Sequence, residues 1–372
     1  MPANAPITAH YNAVSAGQSP AREIESLLNH FNHDTLFHLN IAQEERRREL
    51  RAKFSSGFSG KVFLTQRTLG RAEVNMPGIE ICFVEDGGLA RHFLNGDFRN
   101  AILIANNNDI IQANSYDTYV NFFQKAHDTI AVAWNFDNHH WYPMSTFFAS
   151  HSDICFPVHP DYMSLLSRYN RCIFGPVCSG VIQWTRSFIR ENLGMITSTA
   201  RSDEPLGMHI LYDQFRFRNQ VINTLAQHYP GTVGFQTAAF HQVPEADRLR
   251  QWCSHKAHWI VPVLNDIPTR LFDALTTGGV PIVPDTFRYH PVVASLAAHV
   301  VFYRATDIVL PQSVVQAANS KFNAGGMEKI LERHRVGIEQ HHVSARIETI
   351  LKTVLEEFEI PRPSPASPKP RR

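Results

Sequence analysis

The chain has 372 residues, 44% of them hydrophobic and 19% charged, the proportions of a globular protein with a sizeable core. Lys and Arg number 35 against 34 Asp and Glu, so a formal charge of +1 gives no global reason to expect nucleic acid. The five Cys form no CxxC pair and their count is odd, which favours reduced thiols in a cytoplasmic protein over a disulfide framework or a zinc site.

Residues 1–20 read as a loose leader without the basic and apolar regions of a signal peptide, and no run of about 18 apolar residues is present to span a membrane. Helical patterns follow in AREIESLLNHFNHDTLFHL and AQEERRRELRAKF. GFSG, residues 57–60, is a turn. Then come the apolar strands KVFLT, IEICFV, NAILIA, TIAVAW and SDICFPV, with helical or loop segments between several of them. Buried apolar strands alternating with helices indicate a parallel sheet covered on both faces.

A second α/β series begins after GPVCSGVIQWTRSFIREN. MITSTA, TVGFQTA, HWIVPVL, VPIVP, HVVFY and DIVLP are its strand candidates, and FRFRNQVINTLAQHY, EADRLRQWCSHK, TRLFDALTTGG, GMEKILERHRVGIEQH and SARIETILKTVLEEF its helices. The expected fold class is α/β, two Rossmann-like domains facing a cleft: residues 21–180, then 181–360. Residues 361–372, Pro-rich and basic, form a disordered tail. A weaker reading of that tail is contact with an acidic membrane surface.

The stretch NDIPTRLFDALTTGGVPIVP, residues 265–284, concentrates the chemistry. Pro268 suits a helix start, with Thr269 and Asp266 as candidate caps. A helix beginning there points its first amides at the strand ends, where an anion is stabilised. Arg270 lies in that first turn, and its planar fork suits a phosphate. Asp273 follows on roughly the same face and can accept hydrogen bonds from sugar hydroxyls. Gly278 and Gly279 close the helix. The plainer alternative is an exposed Arg270–Asp273 pair and a simple glycine cap.

IPTRLFDALTTGGVPIVPD resembles the donor-binding segment of glycosyltransferases of the two-Rossmann GT-B fold, with a flavour of spore-coat-type and exostosin-like members. GIEQHHVSARIETIL resembles the end of those domains, where a His shortly before an Arg opens a closing helix, here His342 and Arg346. The resemblance covers roughly residues 200–352. It implies a nucleotide-sugar donor, with Asp273 at the ribose and Arg270 at the diphosphate. Asn265, with Asp266 beside it, stands where many retaining members carry the first of two Glu. No Asp-Xaa-Asp triplet is present, which fits transfer without a metal or other cofactor.

Other residues complete the expected site. Arg201 and Gly207 fall in a loop expected to approach the donor, Gly207 by letting the backbone come close. AWNFDNHHW, residues 133–141, ends a strand. Trp134 and Trp141 are candidates to stack on an acceptor sugar, and Asp137, His139 and His140 to act as the base of an inverting reaction. Adjacent His139 and His140 project apart, so no metal is expected there. His159 and Asp161 in VHPDY read as a helix start more than as cleft residues. The expected function is a cytoplasmic glycosyltransferase, the first half holding a glycan, glycolipid or protein acceptor. An epimerase-like enzyme on the same plan and a non-catalytic nucleotide or carbohydrate binder are the rivals.

Overall fold

The computed structural model describes residues 36–54, 57–236 and 243–361, with side chains from Glu44 onward. The leader, and the tail beyond Pro361, lie outside the described residues.

The first half is built on five parallel strands: β1 Lys61–Thr65, β2 Glu80–Val84, β3 Ile102–Asn106, β4 Ile130–Asn135 and β5 Ile154–Pro157, in the order β2-β1-β3-β4-β5. β3, β4 and β5 are buried at every position. Their side chains alternate between two cores, as strand geometry requires. Ile102, Ile104, Val132 and Trp134 enter one, and Leu103, Ala131 and Ala133 the other.

The second half has β6 Gly207–His209, β7 Val233–Phe235, β8 Ala257–Trp259, β9 Val280–Pro284 and β10 Val301–Tyr303. Two ladders, β6-β7 and β10-β9-β8, are joined by Leu206, whose amide donates to the Ala257 carbonyl at 2.9 Å while its carbonyl accepts from Trp259 at 2.8 Å. The order becomes β7-β6-β8-β9-β10, all parallel. Numbered within each half, both sheets run 2-1-3-4-5, the doubly wound order in which ligands bind beyond the strands' carboxyl ends.

Two strand expectations fail. MITSTA contributes the short helix Leu193–Ile196, which buries Ile196. DIVLP begins in a 3-10 turn, Ala305–Ile308, where Asp307 accepts from the Arg304 amide. The strand that opens this half, β6, lies in the stretch expected to be a loop.

The two crossings of the chain between the halves are stitched to each other. Val181 donates to the His341 carbonyl at 2.8 Å and accepts from the Val343 amide at 3.0 Å, so the outgoing and returning chains run side by side. A side chain on Gly180 would stand 2.1 Å from the His341 carbonyl oxygen, which explains glycine there. His342 then caps the closing helix Val343–Glu357, accepting from the Ser344 amide, as the resemblance implies. The expected division keeps this helix with the second half. Instead Val343, Ile347, Ile350, Leu351 and Val354 pack into the first half's core with Val62, Leu64 and Ile104. Its apolar stripe matches the uncovered face of the first sheet.

Candidate active site

The loop leaving β4 is held from below by amide side chains. Asn107 accepts from the Phe136 amide at 2.7 Å and donates to the Phe136 carbonyl at 3.0 Å. Asn108 donates to the Asp137 carboxylate at 2.7 Å. Asn138 is buried and bonds Ser145 and the Val158 amide. Asp137 has φ +51°, a left-handed conformation that non-glycine residues adopt at a cost. In the loop after β8, Leu264 has φ +49° and is 64% exposed. Backbone strain of this kind collects at functional sites.

The turn after Asp137 sends its two imidazoles in opposite directions, and both meet the second half. The His140 ring lies edge-on to Tyr212 and Phe215, with centroids 4.9 and 5.0 Å away. The His139 ring packs edge-on against His159 and Tyr162, at 4.8 and 5.0 Å, and its Nδ1 is 3.8 Å from Asp266. His159 in turn lies 5.3 Å from His290, which follows β9. The carboxyl ends of the two sheets therefore face each other across a cleft.

Burial sets the protonation here. It lowers His139 to about 4, with the neighbouring His159 adding to the effect. It lowers His140 as well, while the Asp137 charge pulls the other way. Asp266 is pushed well above the usual carboxylate range by burial and by Asp137. Both imidazoles are thus neutral near pH 7, the form that can accept a proton.

In the second half a cavity of about 780 Å³ opens at the ends of β8, β9 and β10, walled by Phe215, Phe217, Arg218, Leu264, Tyr289 and Tyr303. Sequence reasoning missed most of this wall, because it is assembled from four separate loops. Arg218 lines the cavity but donates to the Ile210 and Val261 carbonyls. Arg270 begins the next helix, Thr269–Thr276, half-buried and close to Tyr212 and Arg218. Among the described residues, no hydrogen bond or ion pair holds its guanidinium, and burial lowers it to about 10. Thr269 is the first helical residue and not the cap. Pro268 takes the cap position, and no side chain caps that end. Asp266 reaches the cleft, against His139.

The remaining expected site residues lie elsewhere. Asp273 is fully buried, accepts from Gln183 at 2.6 Å, and is raised to about 7 by burial. It cannot meet a ribose without unpacking its helix. Arg201 donates to the carbonyls of Ile196, Ser198, His255 and Thr277, so it ties down the far end of the same helix. Gly207 sits inside β6, where a side chain would press Trp259 and Val233 at 3.1 Å. At Gly278 and Gly279 added carbons would stand 2.4 Å from Ile330 and from His258. All three glycines serve internal packing, away from any ligand. Trp134 is buried, with its indole N–H on the Val177 carbonyl, and cannot stack on an acceptor. Trp141 is 45% exposed at the start of the helix after the turn.

The expectation of no metal ligands rested on His139 and His140 diverging. They diverge, yet His139, His159 and Asp161 each bring one ligand atom within 4.8 Å of the others.

Neither a family model nor a curated protein matches the chain. Among the solved structures that resemble it are two at 10% identity. One is alpha,alpha-trehalose 6-phosphate synthase from Burkholderia multivorans, at a TM-score of 0.44 over 77% of this chain and 78% of that one. The other is CalG4, the calicheamicin glycosyltransferase, at 0.32 over 80% and 98%. Likeness this distant says nothing of substrate or reaction. No described helix is long and apolar enough to cross a membrane.

Proposed function

We propose that the protein is a glycosyltransferase that moves a sugar from a nucleotide-sugar donor to an acceptor hydroxyl. The observation that carries this reading is Arg270. A half-buried guanidinium that no hydrogen bond or ion pair holds among the described residues, with only the charge of the buried Asp273 acting on it through space, at a helix start and near an aromatic-walled cavity, is suited to a nucleoside diphosphate. The sequence likeness of residues 265–284 to donor-binding segments supports it, as do two sheets presenting their carboxyl ends to one cleft.

The nucleoside occupies the cavity, its base against Tyr289 or Phe217, and the diphosphate reaches Arg270 and the first amides of its helix. The acceptor hydroxyl attacks the anomeric carbon from the side of the first half. The bond to the diphosphate oxygen breaks, and its electron pair stays with the leaving group, where Arg270 stabilises the new charge. The hydroxyl proton passes to neutral His140. This imidazole comes from the first half but touches Tyr212 and Phe215 of the second, and Phe215 lines the cavity. A bound diphosphate adds negative charge nearby and raises His140 toward the range useful to a base.

The test is calorimetric titration with a panel of nucleoside diphosphates and nucleotide sugars, followed by assay of diphosphate release with glycan and glycolipid acceptors. The reading expects binding of at least one nucleotide sugar and release that depends on an acceptor. Absence of nucleotide binding across the panel overturns it.

A further inference from the structure

We propose that His139, His159 and Asp161 form a divalent-metal site in the seam between the two halves, with Asp266 as the fourth ligand. This inference stands apart from the reaction proposed above and uses none of its groups. Three observations carry it. The three side chains already converge, with ligand atoms within 4.8 Å of one another and His159 Nδ1 only 3.4 Å from Asp161 Oδ2. The ligands of a tetrahedral zinc ion stand about 3.3 Å apart, so this edge is already at the required length. Asp161, whose side chain is 63% exposed, can turn to adjust its own distances to the two imidazoles.

The second observation is an unused lone pair. His139 Nδ1 is buried without a hydrogen-bond partner, 3.8 Å from the Asp266 carboxylate. In a seam between two halves, an imidazole nitrogen and a carboxylate oxygen at that separation leave room for an ion to bridge them.

The third is the tautomer. His159 Nδ1 accepts from the Asp161 amide at 3.2 Å, so its proton sits on Nε2, and an ion at Nδ1 takes over the lone pair that this long bond now uses. That Nε2 faces the Asn265 carbonyl without closing a bond of normal geometry. A metal-bound histidine usually has this arrangement, one nitrogen on the ion and the other N–H toward a backbone carbonyl. His290, whose Nδ1 likewise accepts a backbone amide, that of Val292, lies outside the converging group of ligand atoms. Burial keeps His139 and His159 neutral near pH 7, the ligating form.

Two imidazoles with two carboxylates suit zinc, cobalt or nickel better than magnesium or calcium. Three ligands come from the first half and one from the second, so the ion would hold the seam closed.

The experiment uses the untagged full chain after chelator treatment, titrated with cobalt(II) and zinc chloride. Expected are one ion per chain, the intense visible spectrum of tetrahedral cobalt, and its displacement by zinc. Asp161→Asn, at an exposed position that should leave folding intact, weakens binding at least about tenfold, and His139→Gln abolishes the tetrahedral spectrum. Failure of the wild-type chain to take up one ion, or uptake unchanged in both variants, overturns the site.

Discussion

Replacing Arg270 by Met keeps much of the side chain's length and removes its charge. In the unliganded protein that charge is a cost, since burial has lowered it from 12.5 to about 10 without a carboxylate to compensate it fully. The difference corresponds to a ceiling of about 3 kcal/mol. Screening at its partly exposed position reduces this to about 1 kcal/mol. Arg270→Met should therefore be as stable as the parent or slightly more so. Toward a nucleoside diphosphate the sign reverses. A hydrogen bond to a charged group contributes about 1.5–3 kcal/mol, so affinity should fall roughly 10- to 150-fold. Urea unfolding without ligand and calorimetric titration with ligand read the two halves of the prediction. A destabilised variant that binds nucleotide unchanged would falsify the assignment and make Arg270 a packing residue.

Asp273→Asn tests burial of a carboxyl group. The folded value is raised to about 7 from an unfolded value near 3.8, so the wild-type contribution is fully present below about pH 4 and lost as pH rises to about 7. The stability gain of Asp273→Asn over wild type should widen between pH 5 and pH 8, by up to about 2.5 kcal/mol, and a gap that does not change with pH refutes this. Gly278→Ala places a methyl group 2.4 Å from Ile330 at φ +74° and should cost about 2–4 kcal/mol in urea unfolding, with nucleotide affinity of the folded fraction intact. His140→Ala should lower turnover about a hundredfold to ten-thousandfold while nucleotide affinity survives, and near-normal turnover would move the base elsewhere.

The first sheet was legible because its inner strands are buried on both faces and read as apolar runs, as in NAILIA and TIAVAW. β6 was not, because Gly-Met-His carries no such run and gains its place only from neighbours on both sides. MITSTA is rich in β-branched residues, yet its backbone follows the need to bury Ile196 in a helical turn. At the site, His139 and His140 stood out as a pair, whereas Tyr212, Asp266 and His290 join them from 70 to 150 positions away, beyond any local pattern. Asp273 was misread for a reason present in the sequence. RLFDALTT is buried at every position from Leu271 onward, and a helix packed on all sides buries whatever acid it carries.

The return of the closing helix to the first sheet bears on how the chain is made. Synthesis runs from the first residue, and domains commonly fold in that order as they emerge. Here Val62, Leu64 and Ile104 await Ile347, Leu351 and Val354, some 250 residues later. The earliest strands lack this cover until residues 343–357 have emerged from the ribosome. The second sheet, whose core takes nothing from the described residues before Cys178, is free to fold first. A protein truncated before Val343 should therefore keep the later-made half folded and expose the apolar face of the earlier one, a natural target for chaperones.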